Sequence, residues 1–239
     1  MQANSRAITS RQTTVHEHLR TRVERHAANL FRKPITDYNR DAFGLAMHAW
    51  QQAGSLPLIL DAGCGVALST HHLALQFPDH FVLGVDQSAD RLSRGREWPA
   101  PTPPNLLLVR ADLVDFWRLL HADGVRLARH YILYPNPWPK IGHLARRWHA
   151  HPVFPVVIGL GGWFECRSNW PIYIDECAAA LTQLQARTVV TESFMPTNPI
   201  TPFERKYLAS GHGLSRCLVL LGGVPDASRP DVETSFEKI

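Results

Sequence analysis

The stretch Pro57 to Ser69, PLILDAGCGVALS, constrains the fold of this 239-residue chain more than any other. Leu58, Ile59 and Leu60 form a wholly apolar run that stops at Asp61, and Gly63 and Gly65 follow before helix-forming residues begin. An apolar run without alternation belongs to a strand buried on both faces, as in a parallel sheet covered by helices. Glycines just beyond such a strand let the backbone turn tightly and approach a ligand closely. The segment reads as strand, turn and helix beside a nucleotide-like ligand. A dinucleotide fingerprint would place a third glycine where Leu68 stands, and a phosphate loop would need Gly-Lys-Ser/Thr, which this stretch lacks.

Two further apolar runs repeat the pattern. His80 to Val85 (HFVLGV) ends at Asp86, where a carboxylate can accept hydrogen bonds from both ribose hydroxyls of a nucleoside. Asn105 to Val109 (NLLLV) is followed by Asp112, placed for the amino group of an adenine. Three acids after three strands point to S-adenosylmethionine, although each acid also suits a simple helix cap. From Pro57 onward strands and helices alternate, which predicts an α/β fold: a doubly wound, seven-stranded, mostly parallel, Rossmann-like sheet.

Residues 1–55 differ from the rest. They are basic and read as helical, with one helix from His16 to Phe31 and a second from Asp37 to about Trp50, separated by Pro34. This extension covers one face of the sheet or offers its arginines to phosphates, with a solvated helix face as the commoner fate of such arginines. The catalytic domain is expected over 56–223 and a polar tail over 224–239. Within the domain a helix is expected from Leu113 to His121 and a fourth strand from Arg129 to Tyr134. Further strands follow at Trp163–Arg167, Arg187–Thr191 and Ser215–Leu221, with a helix from Pro171 to about Leu184. Glu192 to Pro202 reads as an ordered lid, and His71-His72 as surface of the first domain helix.

Composition sets limits. Hydrophobic residues make up 45% of the chain, enough for one large core. No apolar segment approaches the roughly 20 residues of a membrane span, and the polar N-terminus has no signal core, so a cytoplasmic protein is expected. Cys64, Cys166, Cys177 and Cys217 form no Cys-x-x-Cys pair, and the histidines near Lys140 lack acids or cysteines at ligand spacing, so no metal is expected. The net charge of +4, with 13 histidines besides, permits a nucleic-acid partner without demanding one. Whether the chain is a monomer or a homodimer stays open.

The fourth strand runs into Pro135-Asn136-Pro137-Trp138-Pro139-Lys140, a rigid loop at the carboxyl end of the sheet, facing the same crevice as the three acids. Its basic neighbours Lys140, Arg146 and Arg147 suit phosphates. YPNPWPK with Arg146-Arg147 resembles the P-D-P-W-x-K segment of the bacterial tRNA (guanine-N7) methyltransferases. Gly161 to Tyr173, GGWFECRSNWPIY, is similar to that family's G-G-x-L-x-x-x-T-D-W-x-x-Y, and TPFERK, Thr201 to Lys206, to its T-x-F-E-x-R. The resemblance implies the class I methyltransferase form of the Rossmann-like sheet, tRNA as partner and S-adenosylmethionine as cofactor. It assigns Asp61, Asp86 and Asp112, beside Gly63 and Gly65, to the cofactor, and Lys140 and Thr201 to Glu204, Phe203 included, to the guanine nucleotide.

Two positions depart from that pattern. Asn136 stands where the family's loop has an acid, and Asn169 where T-D-W has its aspartate; both changes remove a negative charge. Guanine N7 has a lone pair and no proton, so methyl transfer there needs positioning rather than a general base. The purine becomes cationic as the methyl arrives, and a carboxylate about 4 Å away would stabilise it by roughly 4 kcal/mol at an effective dielectric near 20. Asn136, at the meeting point of cofactor and acceptor, offers only a dipole. Glu204 is the other acid placed to supply charge, so Asn136 and Glu204 are the candidate catalytic residues. Asn136-Pro137-Trp138 is also similar to the N-P-P-Y segment of methyltransferases acting on exocyclic amines, which leaves a different acceptor open. A protein that binds cofactor and RNA without catalysis is the third reading.

Overall fold

The computed structural model describes residues 5–94, 102–185 and 189–222. Seven strands form one sheet in the order β3-β2-β1-β4-β5-β7-β6. They are β1 (Leu58–Ala62), β2 (Phe81–Asp86), β3 (Leu106–Arg110), β4 (Arg129–Leu133), β5 (Gly162–Ser168), β6 (Val190–Phe194) and β7 (Leu214–Leu221). The first five run parallel, and β7 runs antiparallel to both β5 and β6. The strand order reverses between β1 and β4, which opens a crevice at their carboxyl ends, the place where open α/β sheets bind ligands.

Alternating side chains of each strand feed two layers. Leu58 and Leu60 of β1 join a core with Phe116 and Trp117 of α5 (Leu113–Ala122) and Tyr173 and Cys177 of α7 (Pro171–Gln185). Ile59 points the other way, to Leu73 of α3 (Leu68–Gln76) and the aromatic side of α8 (Pro202–Ala209). Gly84 of β2 is required by packing: a Cβ there would lie 2.6 Å from Thr70 Oγ1 of α3. α4 (Ala89–Arg94) and α6 (Phe154–Gly159) complete the helices of the domain.

The N-terminal extension packs chiefly on the helices that flank one side of the sheet. α1 (Leu19–Ala28) packs on α7 through buried Leu19 and Val23, and α2 (Asp37–Gln52) packs on α5 through Ala46 and Met47. Buried Asn39 donates to Asp115 Oδ2 at 2.7 Å and accepts from the Asp112 amide at 2.9 Å, which pins α2 to the end of β3. Before α1 the chain is an extended strap rather than a helix, and α1 starts three residues later than His16. β6 lies at 190–194, three residues beyond the expected Arg187–Thr191, and so takes in the first residues of the expected lid. It is an exposed edge strand, so apolar content could not fix its register. His71 is buried in α3 and not on its surface, whereas the expected 224–239 tail lies outside the described residues.

Candidate active site

The turn after β1 is stitched to the end of β2. Gly63 and Gly65 take φ of +79° and +59°, the left-handed region that glycine enters without strain. The amides of Gly63 and Cys64 donate to the Val85 carbonyl at 2.8 and 3.1 Å, and Gly65 N–H donates to Asp86 Oδ2 at 3.0 Å. A Cβ on Gly65 would meet no protein atom within 4 Å, so this backbone faces open space that a ligand can fill.

The three acids stand in order across β1, β2 and β3. Asp61 is buried and accepts from Ser69 Oγ at 2.6 Å and Thr70 Oγ1 at 2.7 Å. Burial pushes its carboxyl up from 3.8 to about 6, the two hydroxyls pulling the other way. Asp86 accepts from Ser88 N–H on one oxygen and from Gly65 N–H and Arg91 Nη1 on the other, the arginine at 3.0 Å. Arg91 is half-exposed and meets this buried carboxylate from the solvent side. Asp112 is the N-cap of α5, accepting from Val114 N–H on Oδ1, and its Oδ2 has no hydrogen-bond partner among the described residues. The capping role and a place at the crevice coexist in Asp112.

Opposite them, β4 leaves the sheet at Tyr134, where φ is +52°, and the proline loop turns again at Trp138 with φ of +46°. Asn136 is exposed, its Oδ1 accepts a long bond from Trp138 N–H at 3.3 Å, and its amide NH2 has no hydrogen-bond partner among the described residues. Arg146 is exposed and lies over the Trp138 ring at 4.6 Å, while Lys140 is exposed beside it. Arg147 departs from the expected phosphate contact. It is fully buried, with Nη1 on Glu176 Oε2 at 2.6 Å and Nη2 on the Trp138 carbonyl at 3.1 Å and Gln12 Oε1 at 3.0 Å. Burial would raise the Glu176 carboxyl, but the bonds from His149 and Arg147 outweigh it and hold the group down at about 2. Arg147 therefore fastens the loop to α7 and cannot reach an RNA phosphate.

Glu204 also departs from the expectation. Its carboxylate is fully buried and accepts from Tyr134 OH at 2.9 Å, Arg167 Nη1 at 2.7 Å and Ile200 N–H at 2.7 Å. Arg167 bridges it to Glu165 at 2.6 Å, so its charge is neutralised inside the protein and does not face the acceptor. Thr201 caps α8 by accepting from Glu204 N–H, and Glu204 reaches back to the Ile200 amide, one residue before the cap, in a variant of the capping box. Phe203 is half-exposed and nearly parallel to Tyr207. Asn169, at the end of β5, points its amide nitrogen at His212 Nδ1, 3.1 Å away.

Sequence reasoning missed the strap that crosses this end of the sheet. Ser5 bonds to Ser210 and His212, Ser10 Oγ donates to the Pro139 carbonyl at 2.6 Å, and Gln12 and the His16 amide bond to Glu176. Tyr134, Arg167 and His212 were missed as well. Among the described residues there is no group of three acids, histidines or cysteines able to hold a metal, and no helix long and apolar enough to cross a membrane.

Residues 55–217 match a family profile described as "Putative methyltransferase". A tRNA (guanine-N(7)-)-methyltransferase of Treponema pallidum is 27% identical over 162 residues, covering 66% of this chain and 64% of its own length. One from Bordetella pertussis is 27% identical over 217 residues, covering 82% of this chain and 83% of its own. Among solved structures, the 16S rRNA methyltransferase KamB superposes with a TM-score of 0.54 at 15% identity, over 80% of this chain and 96% of its own, a likeness of fold.

Proposed function

Because the chain belongs to this methyltransferase family, we propose that it transfers a methyl group from S-adenosylmethionine to N7 of a guanine in tRNA. The observation that carries the reading is the row of Asp61, Asp86 and Asp112 at the ends of β1, β2 and β3, facing the Asn136 loop across the switch point. Asp86 would hold the ribose hydroxyls after Arg91 swings away, and Asp112 Oδ2 would accept from the adenine amine. Asp61 would offer its negative charge to the cationic methionine end. When bound, the donor supplies an electrophilic methyl on a sulfonium.

The acceptor side needs no base. Asn136 and Trp138 would position the purine edge, Trp138 by stacking with Arg146 behind it, and Lys140 and Arg146 would meet RNA phosphates. The names of the relatives and the three motifs of the resemblance support tRNA as substrate, and cytoplasm as the compartment. The test is incubation with methyl-labelled S-adenosylmethionine and bulk tRNA, followed by nucleoside analysis. Label in 7-methylguanosine is expected; label in another nucleoside reassigns the acceptor atom, and no label in tRNA refutes the proposal.

A further inference from the structure

Asn169 stands where the resembling family has an acid, and the exchange creates a requirement. The two oxygens of a carboxylate are alike, whereas an amide has one accepting end and one donating end. Something must choose which end the acceptor base meets. The side chain that touches Asn169 is His212, a residue no sequence motif points to.

His212 is itself held on two sides. Its Nε2 lies 3.2 Å from the Ser5 carbonyl oxygen, which can only accept, so Nε2 carries the proton. Nδ1 of the neutral ring is then bare and must receive a hydrogen bond, and Asn169 Nδ2 lies 3.1 Å from it. The ring stacks on Tyr207 with centroids 5.3 Å apart and planes 11° apart, which restrains its rotation. Ser5 is anchored in turn, its N–H donating to Ser210 Oγ at 3.1 Å. Asn169 Oδ1 has no hydrogen-bond partner among the described residues.

We infer that His212 is a positioning residue: tied down by the N-terminal strap, it orients the Asn169 amide so that the carbonyl oxygen, and not the NH2, is offered to the acceptor base. A lone acceptor selects base edges that carry N–H donors, as the Watson–Crick edge of guanine does with two. The strap is thereby part of the specificity apparatus, not only a cover for one end of the sheet. The inference rests on the acceptor pocket proposed above.

The test compares His212→Leu and His212→Asn in the full chain. The Asn side chain puts an acceptor where Nδ1 was, so this variant keeps the tRNA KM within about twofold, whereas His212→Leu raises it about tenfold. Neither changes kcat or S-adenosylmethionine affinity. On an Asn169→Asp background His212→Leu has no effect, because a carboxylate needs no orienting. An unchanged KM in His212→Leu, or an equal rise on both backgrounds, overturns the inference. The imidazole 15N spectrum of the wild-type protein tests it without catalysis: the Nε2–H tautomer is required, and Nδ1–H overturns it. A wild-type protein that methylates no tRNA would defeat the proposed function and leave the spectrum to decide the orientation of Asn169.

Discussion

Asp61 is the residue where stability and cofactor binding pull apart. Burial displaces its carboxyl from 3.8 to about 6, and at about 1.4 kcal/mol per pH unit an ionised Asp61 costs the folded chain about 3 kcal/mol. The sign follows from which state ionises first. Below about pH 4 the group is protonated in both states; between about 4 and 6 the unfolded chain ionises while the folded chain does not, so stability falls as pH rises. Above 6 the deficit is constant. Asp61→Asn retains an oxygen for Ser69 and Thr70 but adds an NH2 whose burial without a partner costs about 1–3 kcal/mol, so the net gain should be about 0–2 kcal/mol at pH 7.5 and should fall by about 3 kcal/mol towards pH 4. The same variant loses the negative charge facing a cationic donor and should bind S-adenosylmethionine at least about tenfold more weakly. Urea denaturation from pH 4.5 to 8, with calorimetric titration of the donor, reads both. A stability difference that does not vary with pH, or undiminished donor affinity, refutes the reasoning.

Asn136→Asp should raise transfer to guanine N7. The loop is exposed, so the gain lies between about 1 kcal/mol in water and about 4 kcal/mol once a base excludes solvent, roughly fivefold to a thousandfold in kcat; an unchanged rate means that charge is not limiting. Glu176→Ala strands the Arg147 guanidinium in the interior and should cost about 3–5 kcal/mol by urea melts. Because Glu176 is held at about 2, its contribution is present above about pH 4.5 and fades as pH falls towards 2; a neutral-pH loss under about 1 kcal/mol contradicts the buried pair. Arg146→Ala should weaken tRNA binding and lower the slope of log affinity against log salt by about 0.7–0.9, with donor affinity unchanged; an unaltered slope removes Arg146 from the RNA surface.

β1, β2 and β3 were legible because each is an apolar run closed by a polar residue, and the proline loop because three prolines cannot continue β4. β6 was misplaced because VTESF is an exposed edge strand, its pattern no different from that of a polar loop. Arg146 and Arg147 look equivalent in sequence and end on opposite sides of the surface, since the partner that buries Arg147 lies 29 residues away in α7. Glu204 carried a local signal that went unread: Thr201 three residues before it gives the spacing of a capping box, and the carboxylate turns back to the Ile200 amide and inward to Arg167. The strap offered no such signal. Its bonds span separations of 129 to 207 residues, and no periodicity records them.

Methyl transfer by this chain requires a donor held across the ends of β1, β2 and β3. Isothermal titration of S-adenosylmethionine into the wild-type chain and Asp86→Ala, with circular dichroism confirming that both are folded, tests this most directly. One donor per chain is expected for the wild type, and at least about tenfold weaker binding for the variant. No heat with the folded wild type, or equal affinity in the two proteins, would contradict it.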